Sequence, residues 1–192
     1  MIGRIITSLQ PALAKLFRAS FGFEFSVYVP GGPGVTLSRE IAHVSNSSAL
    51  SWLNEMNEAM GPYAEVALHS RIRVPGHKDC RHIPMIDVQG NMDKALVERV
   101  RSECGRLNTR ASIFSSGQGV HVYFHTAIAP SAWHDFLGRL LLWTPPVPSG
   151  PPVPVDVRWI GHSIQHRYSA LRITRLTSEY RKIPRWLRDV QP

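Results

Sequence analysis

Residues 111–125 read Ala-Ser-Ile-Phe-Ser-Ser-Gly-Gln-Gly-Val-His-Val-Tyr-Phe-His. Apolar residues at both ends, with Ser and Gly between them, predict strands over 111–114 and 119–125 joined by a turn. Gly117 and Gly119 let the backbone approach a ligand closely. Backbone N–H groups in such a turn can form a nest for phosphate oxygens. His121, opening the second strand, is placed to donate a hydrogen bond to a phosphate. The bland alternative is a hairpin with a partly buried histidine.

Two further segments flank this hairpin. Upstream, Pro84-Met85-Ile86-Asp87-Val88-Gln89 has strand alternation, with Ile86 and Val88 on one face and Asp87 and Gln89 on the other. Side chains two residues apart are about 7 Å apart along a strand, so two oxygen donors there can flank a hard cation such as magnesium or manganese. A helix is expected over 91–104, with Leu96, Val97, Val100 and Cys104 on one face. Downstream, Val155-Asp156-Val157-Arg158-Trp159 also alternates. A strand there would place Val155, Val157 and Trp159 on the core side and Asp156 and Arg158 on the other.

In this order the segments resemble the catalytic core of the archaeo-eukaryotic primase superfamily. Ile86-Asp87-Val88-Gln89 is similar to its Asp-x-Asp strand, and Ser115-Ser116-Gly117-Gln118-Gly119-Val120-His121 to its Ser-Gly-Gly-x-Gly-x-His turn. Val155-Asp156 stands at the third acid and Leu171-Arg172 at the Leu-Arg strand. The resemblance spans residues 80–175. It implies an α+β fold, an RRM-like primase core with a mixed or antiparallel sheet flanked by helices. It implies a template-dependent nucleotidyltransferase, a primase or primase-polymerase using nucleoside triphosphates with magnesium or manganese. Asp87, Gln89 and Asp156 would be the metal and catalytic positions. Ser115, Ser116, Gly117, Gln118, Gly119, His121 and Arg172 would hold the nucleotide. Gln89 departs from the family's usual second Asp, and Gln118 stands where many relatives carry Lys or Arg. A short stand-alone form of this kind is typical of phage or plasmid replication genes, with single-stranded DNA as template and a replication helicase or other replication protein as partner. A primase fold that binds nucleotide or DNA without turnover is the second reading.

The rest of the 192 residues fits one domain with appendages: an N-terminal region over 1–62, a core over 63–175 and a basic tail over 176–192. Met1–Ser20 reads as an amphipathic helix, not a signal peptide. A strand is expected over 21–29, a loop at 30–34, and a helix from Ser47 to Gly61 with Ala49, Trp52, Leu53, Met56 and Met60 inward. Strands follow over 63–74 and 83–88. Another helix starts at Pro130, with Trp133, Phe136, Leu137, Leu140 and Leu141 inward. Six prolines extend 144–154, and a last strand covers 168–173.

Lys and Arg outnumber Asp and Glu by 22 to 14, a net charge of +8 that attracts polyanions. Towards the C-terminus, Arg175, Arg181, Lys182, Arg185 and Arg188, with Tyr180 and Trp186, suit phosphate tracking and base stacking, a solvated basic end being the bland alternative, and Arg158 joins them as a nucleic-acid contact. The apolar runs fall far short of the roughly 20 residues of a membrane span. Two cysteines argue against a disulfide framework and fit a cytoplasmic setting. His77, Cys80 and His82 lack regular zinc spacing. His121 and His125 are about 13 Å apart along a strand, too far to share an ion, which ranks a rolling-circle-type nuclease below the primase reading.

Overall fold

A computed structural model describes residues 21–29, 40–60, 64–117, 119–143, 152–174 and 182–191. The expected N-terminal helix, the 30–34 loop, Gln118, Arg175, Tyr180 and Arg181 lie outside them.

Among the described residues two antiparallel sheets carry the fold, where the sequence suggests one. The first is built from β1 (Gly22–Tyr28), β2 (Glu40–Ser45), β3 (Glu65–Arg73), β4 (Arg81–His82) and β8 (Ala170–Arg172). Its order is β2-β1-β3, and β4 and β8 share the far edge of β3. Helix α1 (Ala49–Met60) covers it, with Trp52 stacked on Phe25 at 5.0 Å between centroids. The expected N-terminal region thus shares its sheet with the expected core.

The second sheet runs β5-β7-β6-β9, from Met85–Val88, Val120–Phe124, Ala111–Ser115 and Arg185–Val190. Alternation gives it two apolar faces. Ile86, Val88, Val122 and Ile113 pack toward the helices, whereas Met85, Tyr123 and Phe114 join the core shared with the first sheet. Each fully buried large side chain contributes about 1.5–3 kcal/mol.

Helices α2 (Lys94–Arg106), α3 (Pro130–Leu141) and α4 (Val157–His166) cover the outer face. Asp93 caps α2 by accepting from the Leu96 N–H at 2.6 Å. Pro130 occupies the first turn of α3, where a missing N–H costs nothing. Trp133, Leu137 and Leu140 are buried as expected, but Leu141 is exposed.

Two sequence expectations are corrected. Val155 makes only an isolated bridge with Val88, after which the chain turns into α4. Asp156 is the N-cap of that helix, its Oδ1 accepting from the Arg158 and Trp159 N–H groups at 2.9 and 3.1 Å. Val157 is therefore exposed, not core. Arg185–Val190, expected within a basic tail, is strand β9, because β6 presents a free edge that its backbone pairs. No helix among the described residues is long and apolar enough to cross a membrane.

Candidate active site

A cleft of about 810 Å³ opens between the two sheets. Asp87 and His121 reach it from the second sheet, Tyr28 and Arg172 from the first, and Gly117 and Lys182 from the segments at one end.

Asp87 sits on β5 opposite His121 on β7, with Nε2 of His121 3.8 Å from Oδ1 of Asp87. Both point away from the helix-packed face that holds Ile86 and Val88. Asp156 approaches from the other side of β5. Its N–H donates to the Asp87 carbonyl at 2.9 Å, and the Gln89 N–H donates to the Pro154 carbonyl at 2.9 Å. The Val88–Val155 bridge sets Asp156 directly across from Asp87, with Cα atoms about 5.5 Å apart by antiparallel geometry. The two acids, 69 positions apart in sequence, thus lie side by side, with Asp87 in the cleft lining.

Burial pushes the Asp87 carboxyl up to about 7, and the Asp156 charge adds to the rise, while Arg172 partly offsets it. Burial also pushes His121 down to about 3, with Arg172 beside it acting in the same direction. The Asp87–His121 contact therefore joins a carboxyl to a neutral imidazole and is not an ion pair. Nδ1 of His121 is buried and has no hydrogen-bond partner among the described residues.

Gln89 donates through Nε2 to Oδ2 of Asp156 at 2.5 Å. A carboxylate only accepts, so the amide nitrogen must face it. Gln89 thereby holds the second oxygen of Asp156 after the helix N-terminus has taken the first.

The Ser/Gly turn is closed by the Ser116 N–H donating to the Gly119 carbonyl at 2.9 Å. Gly117 has φ +110°, a conformation that favours glycine. A Cβ on Gly119 would lie 2.0 Å from the Val88 carbonyl oxygen. Its absence first serves the approach of β5, not of a ligand. Ser115 and Ser116 flank the turn, Ser115 buried and Ser116 half-buried. Arg172, also buried, donates to the carbonyls of Ser116 at 2.9 Å and Lys182 at 3.3 Å, and to that of Thr174. It clamps the turn to the C-terminal segment.

Asp87, His121, Phe114 and Trp186 are successive cross-strand partners on β5, β7, β6 and β9. The row ends at Trp186, 42% exposed and three strand spacings, about 14 Å, from Asp87. Asp189 fixes it, accepting from Nε1 of Trp186 at 3.2 Å and from Oγ of Ser112 at 2.7 Å. Arg185 is exposed beside it, and Arg158 is exposed on the first turn of α4.

Other expected features do not converge. Nε2 of His125 bonds Oγ of Ser112 at 2.9 Å, away from the Asp87–His121 pair. His82 is buried against Ser70 and stacked on Trp133, whereas Cys80 is exposed, and no cluster of three His, Cys, Asp or Glu suited to a metal exists among the described residues. Tyr28, in the cleft wall, was not singled out by the sequence. Its only signal is its place at the end of a strand before a Pro-Gly loop.

A sequence profile described as archaeo-eukaryotic primase 1D-like matches residues 44–185, the greater part of the chain. The chain belongs to the archaeo-eukaryotic primase family. This primase-family chain has the fold of the catalytic domain of primase RepB', solved in complex with initiator DNA: 16% identity, TM-score 0.55, covering 97% of this chain and 82% of that one. The polymerase domain of ligase D from Mycobacterium tuberculosis, solved in complex with DNA, aligns at 12% identity and TM-score 0.50, covering 97% and 84%. Against a second structure of primase RepB' the values are 12% and 0.50, and this family member spans only 56% of that chain. A comparison with curated proteins finds no match.

Proposed function

We propose that this primase-family chain is a template-dependent nucleotidyltransferase, a primase or primase-polymerase working on single-stranded DNA. The observation that carries the reading is Asp156 set beside Asp87, at a cleft that Asp87 lines together with the Ser/Gly turn and, from the first sheet, Arg172. Two neighbouring acids, one of them raised to about 7 by burial and by the other's charge, fit a hard divalent cation. Asp87 and Asp156 would hold magnesium or manganese, which when bound offsets charge on the attacking and leaving oxygens. Gln89 would keep Asp156 in place. Ser115, Ser116, the turn backbone at Gly117 and Gly119, and His121 would hold the triphosphate, positioned by Arg172. A 3′-hydroxyl, or a first nucleotide, then attacks the α-phosphate and pyrophosphate leaves. The site mostly orients the reactants. Trp186, Arg185 and Arg158 would carry the strand.

Gln89 in place of an acid also supports a second reading, a module that binds nucleotide or single-stranded DNA without turnover. Incubation with single-stranded DNA, labelled nucleotides and manganese, followed by a sizing gel, separates the two. Extended product that disappears in Asp87→Asn supports the enzyme. Binding without product supports the module.

A further inference from the structure

We infer that Lys182, carried on the segment leading into β9, is the cation that holds the outer phosphates of the bound triphosphate. The inference rests on the nucleotide-binding reading of the cleft. The turn over 115–121 contains no Lys or Arg of its own. The Arg172 guanidinium beside it already donates to three backbone carbonyls. Lys182 lines the same cleft as Gly117, Gly119 and His121. No acceptor among the described residues holds its ammonium.

Its position is built, not incidental. Lys182 packs directly on Gly117: a Cβ there would lie at van der Waals contact, 3.4 Å from Cβ of Lys182 and 3.8 Å from its N and O. Arg172 ties the Lys182 carbonyl and the Ser116 carbonyl to one guanidinium nitrogen, at 3.3 and 2.9 Å. The lysine backbone is thus fixed against the turn while its side chain stays available. Arg172 brings charge to the cleft but spends its donors on carbonyls, so the ammonium of Lys182 adds the counter-charge with N–H groups free for phosphate oxygens at the turn end. An ammonium is a compact point charge with three donors, suited to phosphate oxygens.

The test is a titration of the full chain with inorganic tripolyphosphate, nucleoside triphosphate, nucleoside monophosphate and single-stranded DNA, followed by calorimetry. Lys182→Met should weaken both triphosphate ligands about tenfold or more, the scale of a lost charged hydrogen bond. Monophosphate and DNA affinities should change less than about twofold on the same scale. Lys182→Arg should restore most of the loss. Gly117→Ala should reproduce part of it, because a φ of +110° strains any residue with a Cβ and shifts the turn on which the lysine rests. Equal loss of DNA and triphosphate binding would overturn the inference and assign Lys182 to the strand path. Unchanged triphosphate binding in a folded Lys182→Met protein would overturn it while leaving the nucleotidyltransferase reading intact. A parent chain that binds no triphosphate would bring down both.

Discussion

Gln89 sets how much charge the acidic wall carries. Its amide nitrogen supports Asp156, and its neutrality spares the wall a third carboxylate next to Asp87. Gln89→Asp removes that donor and adds repulsion. Without metal the variant should lose about 1–3 kcal/mol of stability. Manganese should then raise its melting temperature more than the parent's, because a ligand that binds the native state stabilises by mass action. Melting curves with and without manganese give the answer, and an identical metal-induced shift in both proteins would remove Gln89 from the site. Gly119 has a different kind of constraint. With the Val88 oxygen 2.0 Å from the place of a Cβ, Gly119→Ala must part β5 from the turn. Chemical denaturation should show a loss of more than about 3 kcal/mol, the range of severe overpacking. A loss under about 1 kcal/mol would mean that the turn yields.

Among the elements, β5, β6 and β7 were legible because their alternation is unbroken: Ile86 and Val88 on one face, Asp87 on the other. Helices α2 and α3 were legible from their apolar spacing. Val155–Trp159 misled because Val155 and Trp159 suit a core-facing strand as well as a helix entry, and its β-branched valines favour the strand reading. The decisive signal was Asp156 as an N-cap, which also explains how a residue outside any strand still faces Asp87. β9 was hidden by its bulge. Trp186 pairs with Phe114 and Arg188 with Ile113, so the extra residue Leu187 breaks the alternation. The bulge turns Arg188 toward α2, where it pairs with Glu98 at 2.5 Å, and leaves Trp186 in register with Phe114 and His121. Trp186→Ala should therefore weaken single-stranded DNA binding about tenfold, the scale of one lost base stack. Trp186→Phe should keep most of it. Anisotropy of a labelled oligonucleotide measures both, and equal affinity of Trp186→Ala and parent would take β9 off the strand path.

The whole molecule depends on the seam where the chain leaves the first sheet for the second. At that seam, Nδ1 of His82 lies 3.0 Å from Oγ of Ser70, and the ring stacks on Trp133 at 4.4 Å. Burial, then the charges of Arg71 and His134, push His82 from 6.5 down to about 4. Between these values the unfolded chain binds the proton and the folded chain does not. The contribution is complete above about pH 6.5 and is lost as pH falls to about 4, on the order of 3 kcal/mol in all. His82→Asn, which keeps a polar group near Ser70, should flatten the pH dependence of urea unfolding between these limits. An unchanged slope would show that His82 does not set it. The cleft also has a history in time. Ser70 bonds Ser169 across 99 positions, and Ser112 bonds Asp189 across 77. Both walls are thus completed by segments that must return over long stretches of chain, and such closures slow folding toward the millisecond-to-second range. A chain emerging residue by residue would carry Asp87 and His121 long before Arg172 and Lys182 arrive. The half-built site would expose one acidic wall and a bare edge of β6. Stopped-flow refolding should then show nucleotide-analogue binding recovering only with the slowest phase, and recovery ahead of that phase would mean that one sheet alone makes the site.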